Sequence, residues 1–259
     1  MLDLKEIYFS YRQSNSQEFT LEKINISINA GEFVGIFGPN GSGKSTLLKI
    51  MSGILKPGKG RVLLNNQPIA GMNRRVIASK IAFVPQFTST IFPFTVYEIV
   101  AMGRSPHLGL MGFESETDNK KILEAIEKLE LTSLCNKGIN EISGGEAQRT
   151  YIARAIAQEP EIILLDEPNS HLDLKHQISI YNLLRNLNEE LDITIISVSH
   201  DLNLSAYFCK RGILLDKGRV INDGVISEIL TERNIRNVFD INTKVEINGN
   251  QDITVILKP

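Results

Sequence analysis

The chain has 259 residues, 42% of them hydrophobic and 22% charged, with 19 Gly, 9 Pro and no Trp. That composition excludes a disordered, collagen-like or disulfide-stapled polypeptide, and a chain of this size buries roughly 70 to 75% of its unfolded surface. With 28 Lys+Arg against 30 Asp+Glu and a net charge of -2, it gives no electrostatic reason to expect a nucleic-acid or anionic-membrane binder, a class that usually carries a basic stripe.

Leu2 to Ala30 reads as two strands around the polar stretch Arg12 to Gln17, an antiparallel edge. There the opening Met1-Leu2-Asp3-Leu4-Lys5 breaks any secretory leader, and no later window holds the roughly 18 apolar residues needed to span a bilayer. The expectation is a chain that stays where it is made and meets a membrane only through another protein. Glu32 to Phe37 is a near-continuous apolar run of the kind buried on both faces of a sheet. It leads through a glycine-rich turn into a helix over Ser45 to Met51. Residues 87–158 read as mostly helical, with Ile122, Ala125, Ile126 and Leu129 at helical spacing and Pro160 closing a helix that begins near Glu146. This predicts a helical lobe inserted into a sheet domain. Ile162 to Leu165 and Ile193 to Val198 are two more buried strands, followed by Asp166-Glu167 and by His200-Asp201, as expected where the carboxyl ends of parallel strands carry function. Between them, Lys175 to Leu191 places Leu184, Leu187 and Leu191 on one face of a crossover helix. From Lys244 a weak alternation around Asn248-Gly249 predicts a terminal hairpin. Cys135 and Cys209 belong to no CxxC pair, which fits a reducing cytosol.

Gly38-Pro39-Asn40-Gly41-Ser42-Gly43-Lys44-Ser45 fits G-x-x-x-x-G-K-[ST] between a buried strand and a helix, the context in which that pattern binds phosphate. Glycines let consecutive N–H groups turn toward one anion and the helix amino terminus adds partial positive charge. Lys44 then reaches the terminal phosphates, and the Ser45 hydroxyl can ligate Mg²⁺. Asp166, after four apolar residues, presents a carboxylate to the magnesium shell. Glu167 is placed to orient water and take its proton, the other reading being a solvated strand-end carboxylate. His200 is either a γ-phosphate contact or a strand cap. Ile142-Ser143-Gly144-Gly145-Glu146-Ala147-Gln148-Arg149 has the grammar of a second anion site: an N-cap serine, two bare glycines, then a helix. Because the loop at Gly38 already cradles phosphate, a second site suits a partner's nucleotide; plain helix capping is the alternative. His107, His171 and His176 lack the spacing and partners of a zinc site.

In order and spacing these motifs resemble the ATP-binding cassette family over residues 1–230. The resemblance implies an α/β P-loop ATPase with an antiparallel β-subdomain and an inserted helical subdomain. Residues 1–86 and 159–230 would form the core, 87–158 the helical and signature lobe, and 231–259 a C-terminal extension with a packing role. Tyr11 corresponds to the aromatic that stacks on adenine, with Tyr8 and Phe9 as competitors for the role. Gly38 to Thr46 corresponds to the Walker A loop, Gln86 to the Q-loop glutamine, and Ser143, Gly144, Gly145 and Glu146 to the signature acting in trans. Asp166 and Glu167 match the Walker B pair, Leu172-Asp173 the D-loop, and His200 the switch histidine. The implied ligands are ATP and Mg²⁺, the latter at Ser45, Gln86 and Asp166. Implied too are a head-to-tail dimer of two copies, transmembrane permease subunits at the cytoplasmic face of the membrane, and an external substrate-binding protein. Phe94 to His107, Ser199 to Asn203 and Ser170 to Asp173 resemble the uptake ATPases for ferric siderophores, haem and cobalamin. Subunits for zinc, manganese or molybdate uptake and exporter subunits are the nearer alternatives, a soluble cassette ATPase the remoter one. Ile142, Glu146 and Asn169 stand where Leu, Gln and Thr are commoner. The Phe92 to Phe94 and Met102-Gly103 stretches read as lobe core, as groove for a permease helix, or as both.

Overall fold

A computed structural model describes residues 1–11, 20–86, 92–109, 112–169, 172–247 and 253–258. They fall into two compact units, one made of Met1–Met72 with Leu184–Pro259 and the other of Asn73–Leu183. The Arg12 to Gln17 loop, Ser170-His171 and the Asn248-Gly249 turn lie outside the described residues.

The first unit opens with β1 (Leu2–Ser10) and β2 (Thr20–Ile28), an antiparallel pair as the reading of two strands around a polar stretch predicts. Leu2, Leu4 and Ile7 are buried from β1, and Leu21, Ile24, Ile26 and Ile28 from β2. The register shifts between Leu4 and Ile7, where Glu6 takes a φ of 51° and its N–H donates to Asn25 Oδ1 at 2.9 Å. Next comes β3 (Phe33–Phe37), buried at all five positions, and then α1 (Lys44–Met51), which buries Leu47, Leu48, Ile50 and Met51. β4 (Lys59–Leu64) and β5 (Gln67–Pro68) complete an antiparallel sheet of order β2-β1-β4-β5. β4 escapes a pattern reading because its first three residues are exposed and its last three are all buried, so no alternation marks it.

The second unit contains α2 (Arg74–Ala78), β6 (Ile81–Val84), α3 (Val96–Ala101), α4 (Glu116–Lys128), α5 (Gly144–Ala157) and β7 (Ile162–Asp166). β6 and β7 pair in parallel. Ile122, Ala125, Ile126 and Leu129 are buried as their spacing predicts. α3, α4 and α5 each begin with a capping box, formed by Thr95 with Glu98, Ser115 with Asp118, and Ser143 with Glu146. Buried Arg104 joins these helices: Nε donates to Asp118 Oδ1 at 2.9 Å, and Nη1 donates to Ala157 O at 2.7 Å and Glu159 Oε2 at 2.8 Å. His107 Nε2 lies 2.9 Å from Gln158 O. Arg104 and His107 therefore close the carboxyl end of α5, where a cation offsets the partial negative charge of the last carbonyls.

α6 (Leu174–Leu191) carries the chain back to the first unit. It buries Ile180, Tyr181, Leu184 and Leu187, but Leu191, expected on the same face, is 48% exposed. Leu191 is the last residue of the helix, and the packed face ends a turn earlier at Asn188. The Asn188 amide donates to Gly31 O at 2.9 Å and Ile193 O at 2.8 Å.

Then follow β8 (Thr194–Val198), α7 (Leu202–Phe208), β9 (Arg211–Asp216), β10 (Arg219–Val225), α8 (Ile226–Ile229), α9 (Glu232–Phe239), β11 (Thr243–Ile247) and β12 (Ile253–Leu257). Within this unit the strands run β10-β9-β3-β8, with β3 parallel to both its neighbours and β9 antiparallel to β10. β8, like β3, is buried at every position, which is why both read as apolar runs without alternation. β11 and β12 pair antiparallel. Val238 and Ile253 join Phe37, Leu214, Ile226, Ile229 and Leu230 in one core cluster, so the end of the chain packs directly beneath the strand that leads into the Gly38 loop.

Candidate active site

In the first unit the chain leaves β3 at Phe37 and turns at Gly38, where a Cβ would lie 2.0 Å from Leu215 O; no side chain fits there. Gly43, the N-cap of α1, has a φ of 107°, makes no side-chain cap, and is followed by no acidic residue in the first turn. The first amides of α1 thus face no acceptor from their own cap, and the helix end keeps its partial positive charge for an anion. Buried Lys44 folds over the loop, its Nζ donating to Gly38 O and Pro39 O, both at 2.9 Å. The Ser42 hydroxyl is buried with no hydrogen-bond partner among the described residues, an unsatisfied polar group of the loop. Asn40 and Gly41 are exposed at its crest, Ser45 is half-buried and Thr46 buried. Tyr11 is 40% exposed, packs its ring edge-on against Phe9 at 4.8 Å, and places its hydroxyl 3.3 Å from Thr46 Oγ1. Tyr8 and Phe9 are half-buried, so Tyr11 is the aromatic of the three with the more open face.

His200 follows Ser199, whose N–H donates to Ile36 O at 3.3 Å, and precedes Asp201, whose carboxylate caps α7 by accepting from Leu204 N at 2.9 Å. The exposed imidazole is therefore mounted between a strand end tied to β3 and a capped helix.

In the second unit Asp166 closes β7 and is 5% exposed. Glu167 turns the chain with a φ of 50°, a left-handed conformation that costs a non-glycine residue about 1–3 kcal/mol. Its Oε2 accepts a hydrogen bond from Gln86 Nε2 at 2.5 Å. Glu167, expected to orient water, and Gln86, which the family resemblance places at magnesium, are therefore partners of each other here.

Ser143 and Gly144 are exposed at the start of α5. Ser143 Oγ accepts from Glu146 N at 3.3 Å, and Glu146 Oε2 accepts from both Ser143 N and Ser143 Oγ, each at 2.7 Å. These Ser143 bonds hold the Glu146 carboxyl below its ordinary range. Plain capping, weighed against an anion site from the sequence, is thus present in this conformation. Exposed Asp173 accepts from His176 N at 2.9 Å and lies 2.6 Å from His176 Nδ1; these contacts draw its pKa down, the backbone bond most. The sequence marks His176 only by its spacing of three from Asp173, the capping distance, and the ring meets the Asp173 carboxylate within that same turn.

A family model described as ABC transporter matches residues 21–170. The chain is 34% identical over 245 residues to the petrobactin import ATP-binding protein FpuC of Bacillus anthracis, covering 95% of this chain and 89% of that protein. It is 41% identical to the iron(3+)-hydroxamate import ATP-binding protein FhuC of Bacillus subtilis (strain 168), over 87% of this chain and 84% of that one. Among solved structures, an inward-facing metal-chelate type ABC transporter superposes with a TM-score of 0.84 at 31% identity, covering 100% of this chain and 96% of the other. A dimeric ATP-binding cassette in a post-hydrolysis state, bound to ADP and Pi, gives 0.78 at 35% identity over 87% and 99%.

Proposed function

Because this chain belongs to the ABC transporter family, it is an ABC-type ATPase, and we propose that it powers a membrane importer for a metal chelate such as a ferric siderophore, haem or cobalamin. The site observation that carries the ATPase reading is the uncapped α1, with Lys44 drawn over a loop whose Ser42 hydroxyl is unsatisfied. The import reading rests on the likeness to the petrobactin and hydroxamate import proteins.

Two copies close head to tail around two Mg-ATP molecules, each nucleotide held between Gly38 to Thr46 of one copy and Ser143, Gly144, Gly145 and Glu146 of the other. Tyr11 stacks on adenine. Lys44 and the loop amides offset phosphate charge. Ser45, Asp166 and Gln86 offer only oxygen donors, directly or through water, which suits a hard cation such as Mg²⁺, and that ion when bound neutralises charge on the β- and γ-phosphates. Glu167 then orients the attacking water and accepts its proton once Gln86 has turned away from it, while His200 supports the γ-phosphate and Asp173 lies at the contact with the other copy. Closure is a rigid-body movement that displaces residues 87–158 and with them the permease. Residues 1–86 and 159–230 act as the nucleotide core and 231–259 as its packing. Among the described residues no helix is long and apolar enough to cross a membrane. The chain is held at the cytoplasmic face through its permease subunits, and an external binding protein delivers the cargo. Nucleic acid has no part in the cycle.

The test is to isolate tagged Glu167→Gln protein from detergent-solubilised native membranes, with and without ATP, and to identify its partners by mass spectrometry. A polytopic membrane subunit is expected, and its binding protein can then be screened against ferric chelates, haem and cobalamin. Recovery of only soluble partners, ribosomes or DNA would overturn the import reading.

A further inference from the structure

We infer that His176 is a positioning residue that joins the Asp173 turn to the Gly144-Gly145 end of α5, so that the two move as one body. The inference rests on the proposed ATP-driven pairing of two copies. Asp173 caps α6 through the His176 N–H alone, at 2.9 Å. The cap does not require the imidazole, yet Nδ1 also lies 2.6 Å from the same carboxylate oxygen, which fixes the ring and requires the proton on Nδ1. The far edge of that ring faces α5: a Cβ added to buried Gly145 would lie 2.9 Å from His176 Cδ2 and 3.3 Å from Cγ. A Cβ on Gly144 would stand 3.6 Å from Leu172 Cδ2, a second contact between the same two segments. Gly145 therefore does more than bare its amide. It admits the His176 ring against the backbone whose N–H groups are proposed to meet the partner's γ-phosphate, with Leu172 in ordinary contact range of Gly144 beside it. Among the described residues no group of three His, Cys, Asp or Glu side chains could hold a metal ion. A displacement of Asp173 on contact with the other copy is passed through a hydrogen-bonded ring to the first turn of α5, and the signature amides are set for phosphate only when that contact is made.

Two variants separate the halves of the link. His176→Phe keeps a ring over Gly145 without the bond to Asp173; His176→Asn keeps a donor near the Nδ1 position and removes the ring. In steady-state ATP hydrolysis by the full chain, each is expected to lower kcat about fivefold, the lower end of ordinary coupling between sites. The Kd for ADP, which reads the Gly38 to Thr46 loop of a single copy, should stay at the wild-type value. In a double-mutant cycle with Asp173→Ala, the His176→Phe loss should be largely absent. Wild-type kcat in both variants, additive losses in the cycle, or weakening of ADP binding and of Tm in step with kcat would each overturn the inference. Those results leave the ATPase reading standing, whereas absence of ATP hydrolysis by the wild-type chain would overturn both.

Discussion

Two glycine-containing loops in this molecule end on helix amino termini, and they are finished in opposite ways. α1 starts at a glycine without a side-chain cap, carries no acid in its first turn, and holds a buried lysine over the loop. α5 starts with a serine and glutamate that satisfy each other's donors and acceptors. A loop of the first kind leaves the start of its helix without a side-chain cap and sets a lysine beside it, the arrangement that phosphate binding within a single copy calls for. In the second kind a phosphate must displace the Ser143 hydroxyl from Glu146, and it meets a carboxylate whose lowered pKa keeps it ionised. Such a site engages only an anion already fixed elsewhere. On the proposed reading, this difference suits the first loop to binding nucleotide and the second to sensing it across an interface.

The largest expected effect leaves both loops intact. In Glu167→Gln, nucleotide should bind and dimers should accumulate in ATP while turnover falls at least about a hundredfold, the range for loss of a general base; near-normal turnover measured by phosphate release would remove Glu167 from that role. Lys44→Ala attacks the first loop. Losing a charged hydrogen-bond donor worth about 1.5–3 kcal/mol should weaken ATP and ADP binding alike by about 10- to 100-fold in titration calorimetry, and unaltered binding would contradict the comparison. Ser143→Ala attacks the second. Loss of the hydroxyl that would turn from Glu146 to the partner's phosphate, a hydrogen bond worth about 1 kcal/mol, should weaken ATP-dependent dimerisation about fivefold in analytical ultracentrifugation with ADP affinity unchanged. If ADP affinity fell instead, the two loops would not be separate in function.

The smallest effect is a control on capping itself. α4 carries the same kind of box without glycines, and Asp118 is drawn down from 3.8 to about 2 by its hydrogen bonds from Ser115, with Arg104 adding to them. A depressed carboxyl pKa stabilises the fold above the unfolded value, and that stability is lost as pH falls from 3.8 toward about 2. Unfolding followed across that window should be less pH-dependent in Asp118→Asn, with ATP hydrolysis at neutral pH close to wild type.

Local pattern carried much of this molecule. β3, β7 and β8 are apolar at nearly every position because both their faces are buried, so each stands out in the sequence, and the motifs at their carboxyl ends follow from chain order alone. The helices α4 and α5 announce themselves by periodicity and cap. Local pattern is silent on β4, where three exposed residues precede three buried ones, and it misplaces Leu191, because a helical face does not reveal where its packing partner ends. The bond between Gln86 and Glu167 joins side chains 81 positions apart, and the ring of His176 meets Gly145 from another helix. The sequence by itself determined which residues can bind phosphate, offer oxygen to a cation or cap a helix, since these are properties of side chains and of short-range backbone geometry. Only the tertiary structure decided which of those groups partner one another at rest, because the contacts of a folded chain depend on distances that spacing along the chain does not set.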